Sequence, residues 1–190
     1  MKKLFEKANL SFMIALQMLV LPAIICLVVS IFIIGNEMNS TYNDAEGLYY
    51  DTLYQINNKL VNADRDFYQA MLAAQQYMSV AMSDGSLPQE EMDRLFKERT
   101  EVYNENLEQT LERVNGSNEI AATIPYLYTG IQIDGKTYKD YSEEFQSKYD
   151  QWLGTYDFKT QEGDITAFND LFEQTRDGIS GMTDVVEQWA

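Results

Sequence analysis

The chain opens with one long apolar run, and apolar residues recur at helical spacing in four later segments. Residues Leu10 to Ile34 contain no charged side chain. As a helix they would span roughly 37 Å, more than the ~30 Å hydrocarbon core of a bilayer. The apolar core of a signal peptide is shorter and is followed by small residues at a cleavage site. The run is therefore predicted to be an uncleaved transmembrane helix, in which Pro22 is tolerated.

The first segment after this anchor carries a heptad seam. Its apolar residues alternate in steps of four and three, at Tyr49, Leu53, Ile56, Leu60, Ala63, Phe67, Ala70, Ala74, Tyr77 and Ala81. This spacing predicts a helix over 45–82 that packs against other helices with coiled-coil geometry. Helical structure through 36–44 would make it continuous with the anchor.

Three further helices are predicted from the same kind of spacing. A turn at 83–86 precedes the second helix, which Ser86 and Gln89 would open as a capping box with Pro88 in its first turn, and which 115–118 would end. Residues 119–136 are predicted to be a partly ordered connection that folds back on the helices. The third helix covers 137–156, and the fourth follows a cap at Asp164.

The inward positions of the last two helices differ in character. Those of the third are almost all aromatic and indicate core packing more than a ligand pocket. Those of the fourth keep steps of three and four up to the end of the sequence. The two sets are Tyr138, Tyr141, Phe145, Tyr149, Trp152 and Tyr156, and then Ile165, Phe168, Phe172, Thr175, Ile179, Met182, Val186 and Trp189.

These elements predict an all-α fold, an antiparallel up-down-up-down four-helix bundle with an N-terminal transmembrane helix. Residues 1–9 would be cytoplasmic, 10–34 would cross the membrane and 35–190 would form the bundle outside the cytoplasm. An even number of helices brings the chain back to the membrane, and the fourth pattern is still in phase at Ala190. We therefore expect a truncation there, with a second transmembrane helix beyond it.

The distribution of charged residues supports this membrane topology and argues against binding to nucleic acid or anionic lipid. Lys2, Lys3 and Lys7 place the amino terminus in the cytoplasm. Three of the 14 basic and one of the 30 acidic residues precede the apolar run, so 11 and 29 remain and the rest of the chain carries a formal charge of −18. Such a surface repels nucleic acid and anionic lipid.

The composition also argues against catalysis and metal binding. The sequence has no histidine, and its one cysteine, Cys26, lies in the apolar run. The commonest general base and metal ligand is thus missing, and one chain cannot form a thiolate cluster. With no phosphate loop, nucleophile elbow or metal-ligand spacing, we expect neither an enzyme nor a cofactor.

This organisation resembles the sensory region of bacterial methyl-accepting chemotaxis proteins. Residues 56–70 (INNKLVNADRDFYQA) are similar to the first bundle helix of many such receptors, and 127–130 (LYTG) and 134–138 (DGKTY) to their middle connection. The resemblance implies a receptor in the bacterial cell membrane that forms a homodimer and binds a small molecule or a solute-binding protein. Its fourth helix would shift slightly against the first and act, through the membrane, on a cytoplasmic kinase and adaptor.

There are three ligand-binding candidates. The resemblance points to the first helix and the fourth, since such receptors hold amino acids with arginines on the first and polar groups on the fourth, and the place of Arg99 on the second helix suggests an anion-binding residue if it is partly buried. Arg65 points away from the seam. Instead of binding a ligand, it could form a solvated ion pair with a flanking aspartate. Arg99 lies near the apolar side of the second helix, where snorkelling is the alternative. Thr175 lies on the seam of the fourth helix, where a threonine can bond a ligand but more commonly bonds its own backbone.

Two other functions remain open. The same sensor module serves histidine kinases and diguanylate cyclases, which the domain beyond the sequence would distinguish. The second alternative is not a sensor: the chain could be a membrane-anchored coiled coil with a structural role. It should have no ligand pocket, and no small molecule should raise its melting temperature.

Overall fold

The structure is a computed structural model that describes residues 2–47, 52–83 and 87–189. It divides into two compact units, residues 1–48 and 49–190. The predicted seam position Tyr49, most of the predicted turn at 83–86, and the predicted cap Ser86 lie outside the described residues.

The first unit is one apolar helix, α1, over Lys2–Gly47. It contains the predicted run and continues through 36–44, and Pro22 does not interrupt it. The predicted continuity with the next helix depends on residues 48–51, which lie outside the described part of the chain. Its apolar part is long enough to cross a membrane and is not buried within the described structure. An apolar helix of this kind meets the requirement of a membrane anchor, and also that of a signal sequence.

The second unit, the helical body, contains two long helices that pack in antiparallel orientation, α2 (Tyr54–Ala81) and α3 (Gln89–Ala122). The predicted seam of α2 is buried from Leu53 to Ala74, with Ile56 and Phe67 fully enclosed. Tyr77 is partly buried, but Ala81, which was also predicted to lie on the seam, is exposed because it is the last residue of the helix. Periodicity alone therefore identified the buried side of this helix correctly.

The predictions for the ends of α3 were wrong at both termini. Pro88 is the residue before the helix rather than part of its first turn, and the Gln89 side-chain amide donates to Asp93 within α3. The predicted capping box involves Ser86 and so lies outside the described residues. At the other end the helix passes through Gly116 and Ser117 to Ala122. Gly116 lies against the Lys59 side chain, while the buried Ser117 hydroxyl donates to Val114 O and accepts from Tyr138 Oη. Packing thus stabilises helix where composition suggested a turn.

The connection after α3 is more ordered than predicted, and it does fold onto the helices. Tyr126–Gly130 form a π-helical turn with Leu127 fully buried. A tight turn follows, in which Ile133 and Lys136 are paired by backbone hydrogen bonds and Asp134 and Gly135 have positive φ.

The last two helices are α4 (Tyr138–Thr155) and α5 (Ile165–Trp189). Thr137 and Asp140 form a capping box at the start of α4, which the sequence analysis did not predict. At the start of α5, Asp164 Oδ1 accepts from two amides and is the predicted cap. Tyr156 was predicted to end the third helix, but it begins β1 (Tyr156–Asp157), which pairs antiparallel with β2 (Glu162–Gly163).

Two glycines let α5 approach α4 closely. A Cβ on Gly178 would lie 2.9 Å from Phe145 Cβ and 3.0 Å from Phe145 Cα, and one on Gly181 would enter the Tyr141 ring. The Tyr141 hydroxyl is itself held by Ile133 O at 2.9 Å. These positions therefore fix the separation of α4 and α5.

We call the end of the body where α2 ends and α5 begins the tip, and the opposite end the base. Aromatic side chains fill the core toward the tip. Phe67 has ring-centroid distances of 4.9 Å to both Trp152 and Phe172. The predicted aromatic side of α4 is buried from Tyr138 to Trp152, which confirms core packing. In α5, Ile165 was predicted to be buried but is 39% exposed, because it is the first residue of the helix at the tip.

Candidate functional site

The three predicted ligand-binding residues lie apart, each with its own partner. Arg65 is exposed and donates to Asp66 Oδ1 from Nη2 at 2.7 Å. Arg99 is partly buried and lies 3.4 Å from Glu98. Thr175 is fully buried and donates to Leu171 O at 2.7 Å, so its hydroxyl is satisfied within its own helix. Among the described residues, no hydrogen bond or ion pair joins any two of the three.

The structure instead brings together charged residues that the sequence analysis did not select. Asp66 is only 1% exposed, and its carboxylate is shared between Arg65 and Arg113 of α3. Arg113 Nε lies 2.6 Å from Oδ2, although the angle of this contact is outside the range of a hydrogen bond. A buried carboxylate needs such partners because desolvation penalises its charge. The sequence does contain a sign of this buried charge, because Asp66 is an acidic residue directly beside the seam residue Phe67.

A second ion pair, which we call the clasp, joins α2 to α5. Arg176 donates to both carboxylate oxygens of Asp64, from Nε at 2.7 Å and from Nη2 at 2.9 Å. The hydrogen bond to Asp64 raises the pKa of Arg176 above its ordinary value. The guanidinium also lies 5.6 Å from the Tyr68 ring centroid and 5.7 Å from that of Phe172. Bidentate geometry and aromatic contact together hold one register of α5 against α2.

Three cavities lie where α2 and α5 meet, and we call the surface that contains them the groove. The first, of about 310 Å³, lies beside the clasp and is lined by Val61 and Ser180 among others. The second, of about 350 Å³, is lined by Leu72 and Asp170 among others. Each takes residues from both helices, so a molecule bound in the groove would contact α2 and α5 together.

The third cavity, of about 440 Å³, lies at the tip, and we call it the tip crevice. Its walls come from the last turns of α2, the β-hairpin and the first turns of α5. Its lining consists of Gln75, Met78, Met82, Tyr156, Gln161, Ile165 and Asn169. None of these residues carries a formal charge at neutral pH.

The interior of the body offers less to a ligand than the groove does. Burial raises the pKa of Tyr149 to about 12 and also raises the pKa values of Tyr103 and Tyr138, so these phenols are neutral packing groups. Trp152 Nε1 is buried without a hydrogen-bond partner within the described structure. The candidate binding surface is therefore the α2–α5 groove.

No cluster of three or more residues able to hold a metal ion occurs in the described part of the chain. Comparisons with protein families, with curated proteins and with solved structures gave no match to this chain.

Proposed function

We propose that the chain is the sensory region of a transmembrane chemoreceptor. In this proposal α1 is an anchor in the bacterial cell membrane with its amino terminus in the cytoplasm. Helices α2–α5 form an up-down-up-down four-helix bundle on the other side. The observation that carries the proposal is the groove between α2 and α5, where a clasp fixes the register of the two helices beside cavities lined by both.

The mechanism follows from this arrangement. A ligand changes a conformational equilibrium only if it interacts differently with the two states. Packed helices have discrete arrangements, so a molecule in the groove that favours one register of α5 against α2 shifts the population of that register. Because α5 ends at the base, such a displacement would leave the bundle there and reach the cytoplasmic kinase and adaptor through the chain beyond it.

Homodimerisation is part of the proposal, and the outer face of α2 supports it. Tyr54, Val61 and Tyr68 recur every seven residues and are 61%, 57% and 52% exposed, with Leu72 one turn further at 42%. An exposed apolar stripe at heptad spacing suits a second copy of the same helix. In a Cys26→Ser background, Val61→Cys should form a disulfide between chains in membranes. The control Asn104→Cys, exposed on α3, should not.

The signalling role can be tested without knowing the ligand. Residues 1–190 would be joined, in helical register, to the second membrane helix and cytoplasmic part of a chemoreceptor in a receptor-free host. Arg176→Met removes the clasp and should shift the baseline kinase activity. Arg94→Met is the matched control and should leave the baseline unchanged, since its partners within the described part of the chain, Glu91 and Glu98, belong to its own helix.

The sensory role would be contradicted if the chimera inserts into the membrane, both variants give the same kinase activity as the unmutated chimera, and no compound changes that activity. Reading the gene past codon 190 adds an independent test. A second apolar run of about 20 residues, a linker domain and a long heptad hairpin would support a chemoreceptor. A kinase or cyclase domain would keep the sensor and change its output.

A further inference from the structure

We propose that the tip crevice binds a small uncharged molecule that has an apolar body and a polar edge able to donate and accept hydrogen bonds. The binding rests on the crevice itself. Only the step from binding to signalling rests on the sensory function proposed above.

The lining of the crevice defines this class of ligand. Gln75, Gln161 and Asn169 are exposed, and each side-chain amide offers an acceptor oxygen and two donor hydrogens. Met82 and Ile165 are 72% and 39% exposed, so apolar side chains beside the amides are accessible to solvent. Concave sites with mostly apolar walls and a few polar groups are typical of small-molecule binding.

Charge explains why the ligand would be neutral. The chain has a formal net charge of −16, which repels anions at long range. A cation would be attracted to the surface, but among the described residues no carboxylate lines the crevice to pair with it. Desolvating an ion without a partner is costly, so a neutral molecule that bonds the amides fits the lining better than either ion.

The backbone at Gln161 gives a second, independent observation. Gln161 has φ of +59°, a left-handed conformation that is unfavourable for most residues other than glycine. It ends the loop of the β-hairpin, whose strands pair Tyr156 with Gly163. Glycine would relieve the backbone at this position but would remove one amide from the crevice wall. Unfavourable backbone geometry kept where a side chain lines a cavity is a common property of functional sites.

The experiment uses the full chain in nanodiscs, with ¹³C-labelled methionine methyl groups observed by NMR. Met78 and Met82 report on the crevice and are assigned with Met78→Leu and Met82→Leu variants, while the buried Met182 at the base is the internal control. The probe is benzamide, a neutral ring with a carboxamide. Benzoate and benzylammonium have the same ring with opposite charges.

Benzamide should shift the two crevice methyl signals saturably, with half-saturation on the order of 1 mM, as for a small fragment. Benzoate and benzylammonium should bind at least about tenfold more weakly, because neither finds a charged partner among the described lining residues. The absence of a saturable shift, an equal response of Met182, or equal binding of either ion would overturn the proposal. None of these outcomes affects the chimera test of signalling.

Two glycine variants separate a binding role for Gln161 from a structural one. Gln161→Gly should weaken benzamide binding several-fold without lowering the melting temperature, since glycine suits this backbone. Asp134→Gly relieves a left-handed residue, φ +51°, in the turn before α4 and should leave binding unchanged. Unchanged binding in Gln161→Gly, or an equal loss in both variants, would overturn the assignment of Gln161 to the site.

Discussion

Gly178→Ala tests how tightly α5 is packed against α4. The added Cβ would lie 2.9 Å from Phe145 Cβ, whereas ordinary contact begins at 3.4 Å, so the shortfall is about 0.5 Å. The Phe145 backbone is nearly as close, with Cα at 3.0 Å and N at 3.1 Å. Rotation of the Phe145 side chain therefore cannot remove the clash, and the two helices must separate.

The size of the effect follows from two opposing contributions. Overpacking of this kind costs about 1–3 kcal/mol, while replacing glycine by alanine within a helix gains about 0.5–1 kcal/mol. Gly154→Ala, in the last turn of α4, is the matched control because its Cβ would meet nothing within 4 Å. Subtracting the control removes the propensity gain and leaves a difference of about 1–3 kcal/mol, or roughly 3–10 °C in melting temperature.

The assay is thermal unfolding of the full chain in micelles, followed by the fluorescence of Trp152 in a Trp189→Phe background. Trp152 is fully buried, so its emission reports on the core. Gly154→Ala should melt slightly higher than the parent, and Gly178→Ala clearly lower than Gly154→Ala. If both variants raised the midpoint equally, the close approach of α4 and α5 would be refuted.

Four further outcomes are expected. A double-mutant cycle of Asp64→Asn and Arg176→Met should give a coupling energy of about 1 kcal/mol by denaturant unfolding, since the pair is bidentate but about one-third exposed; additivity would refute the clasp. Phe67→Ala should cost about 3–5 kcal/mol in the same assay, because the side chain is fully buried among aromatic rings. Thr137→Ala should cost about 1 kcal/mol through the lost cap of α4. Since burial raises the pKa of Tyr149 to about 12, its contribution to stability is complete below the ordinary value of ~10 and is lost as pH rises through about 12. Tyrosinate absorbance should show a late phase that Tyr149→Phe reduces.

The sequence was sufficient to predict which side of α2, α4 and α5 is buried. Alternating steps of three and four identify one helical face, and Ile56, Phe145 and Ile179 all lie in the core as that pattern requires. The prediction that α3 ends at 115–118 failed because composition suggests a turn there. In the structure the Gly116 backbone is close to Lys59, and Ser117 bonds Tyr138.

The partners between helices could not be read from spacing. Asp64 and Arg176 are 112 positions apart, and periodicity says which face each residue occupies but not which residue lies opposite. The tip crevice is harder still to predict, because it needs α2, α5 and a hairpin of two-residue strands. Strands that short leave no alternating pattern in the sequence.

The glycine contact between α4 and α5 also restricts how the chain can change length during evolution. One residue inserted into α5 before Gly178 rotates everything after it by about 100° relative to the preceding part. A larger side chain would then replace glycine opposite Phe145. Only whole heptads, inserted into both helices at matching heights, keep small residues opposite the aromatic ones. Diverged sequences are therefore expected to lengthen or shorten α4 and α5 together.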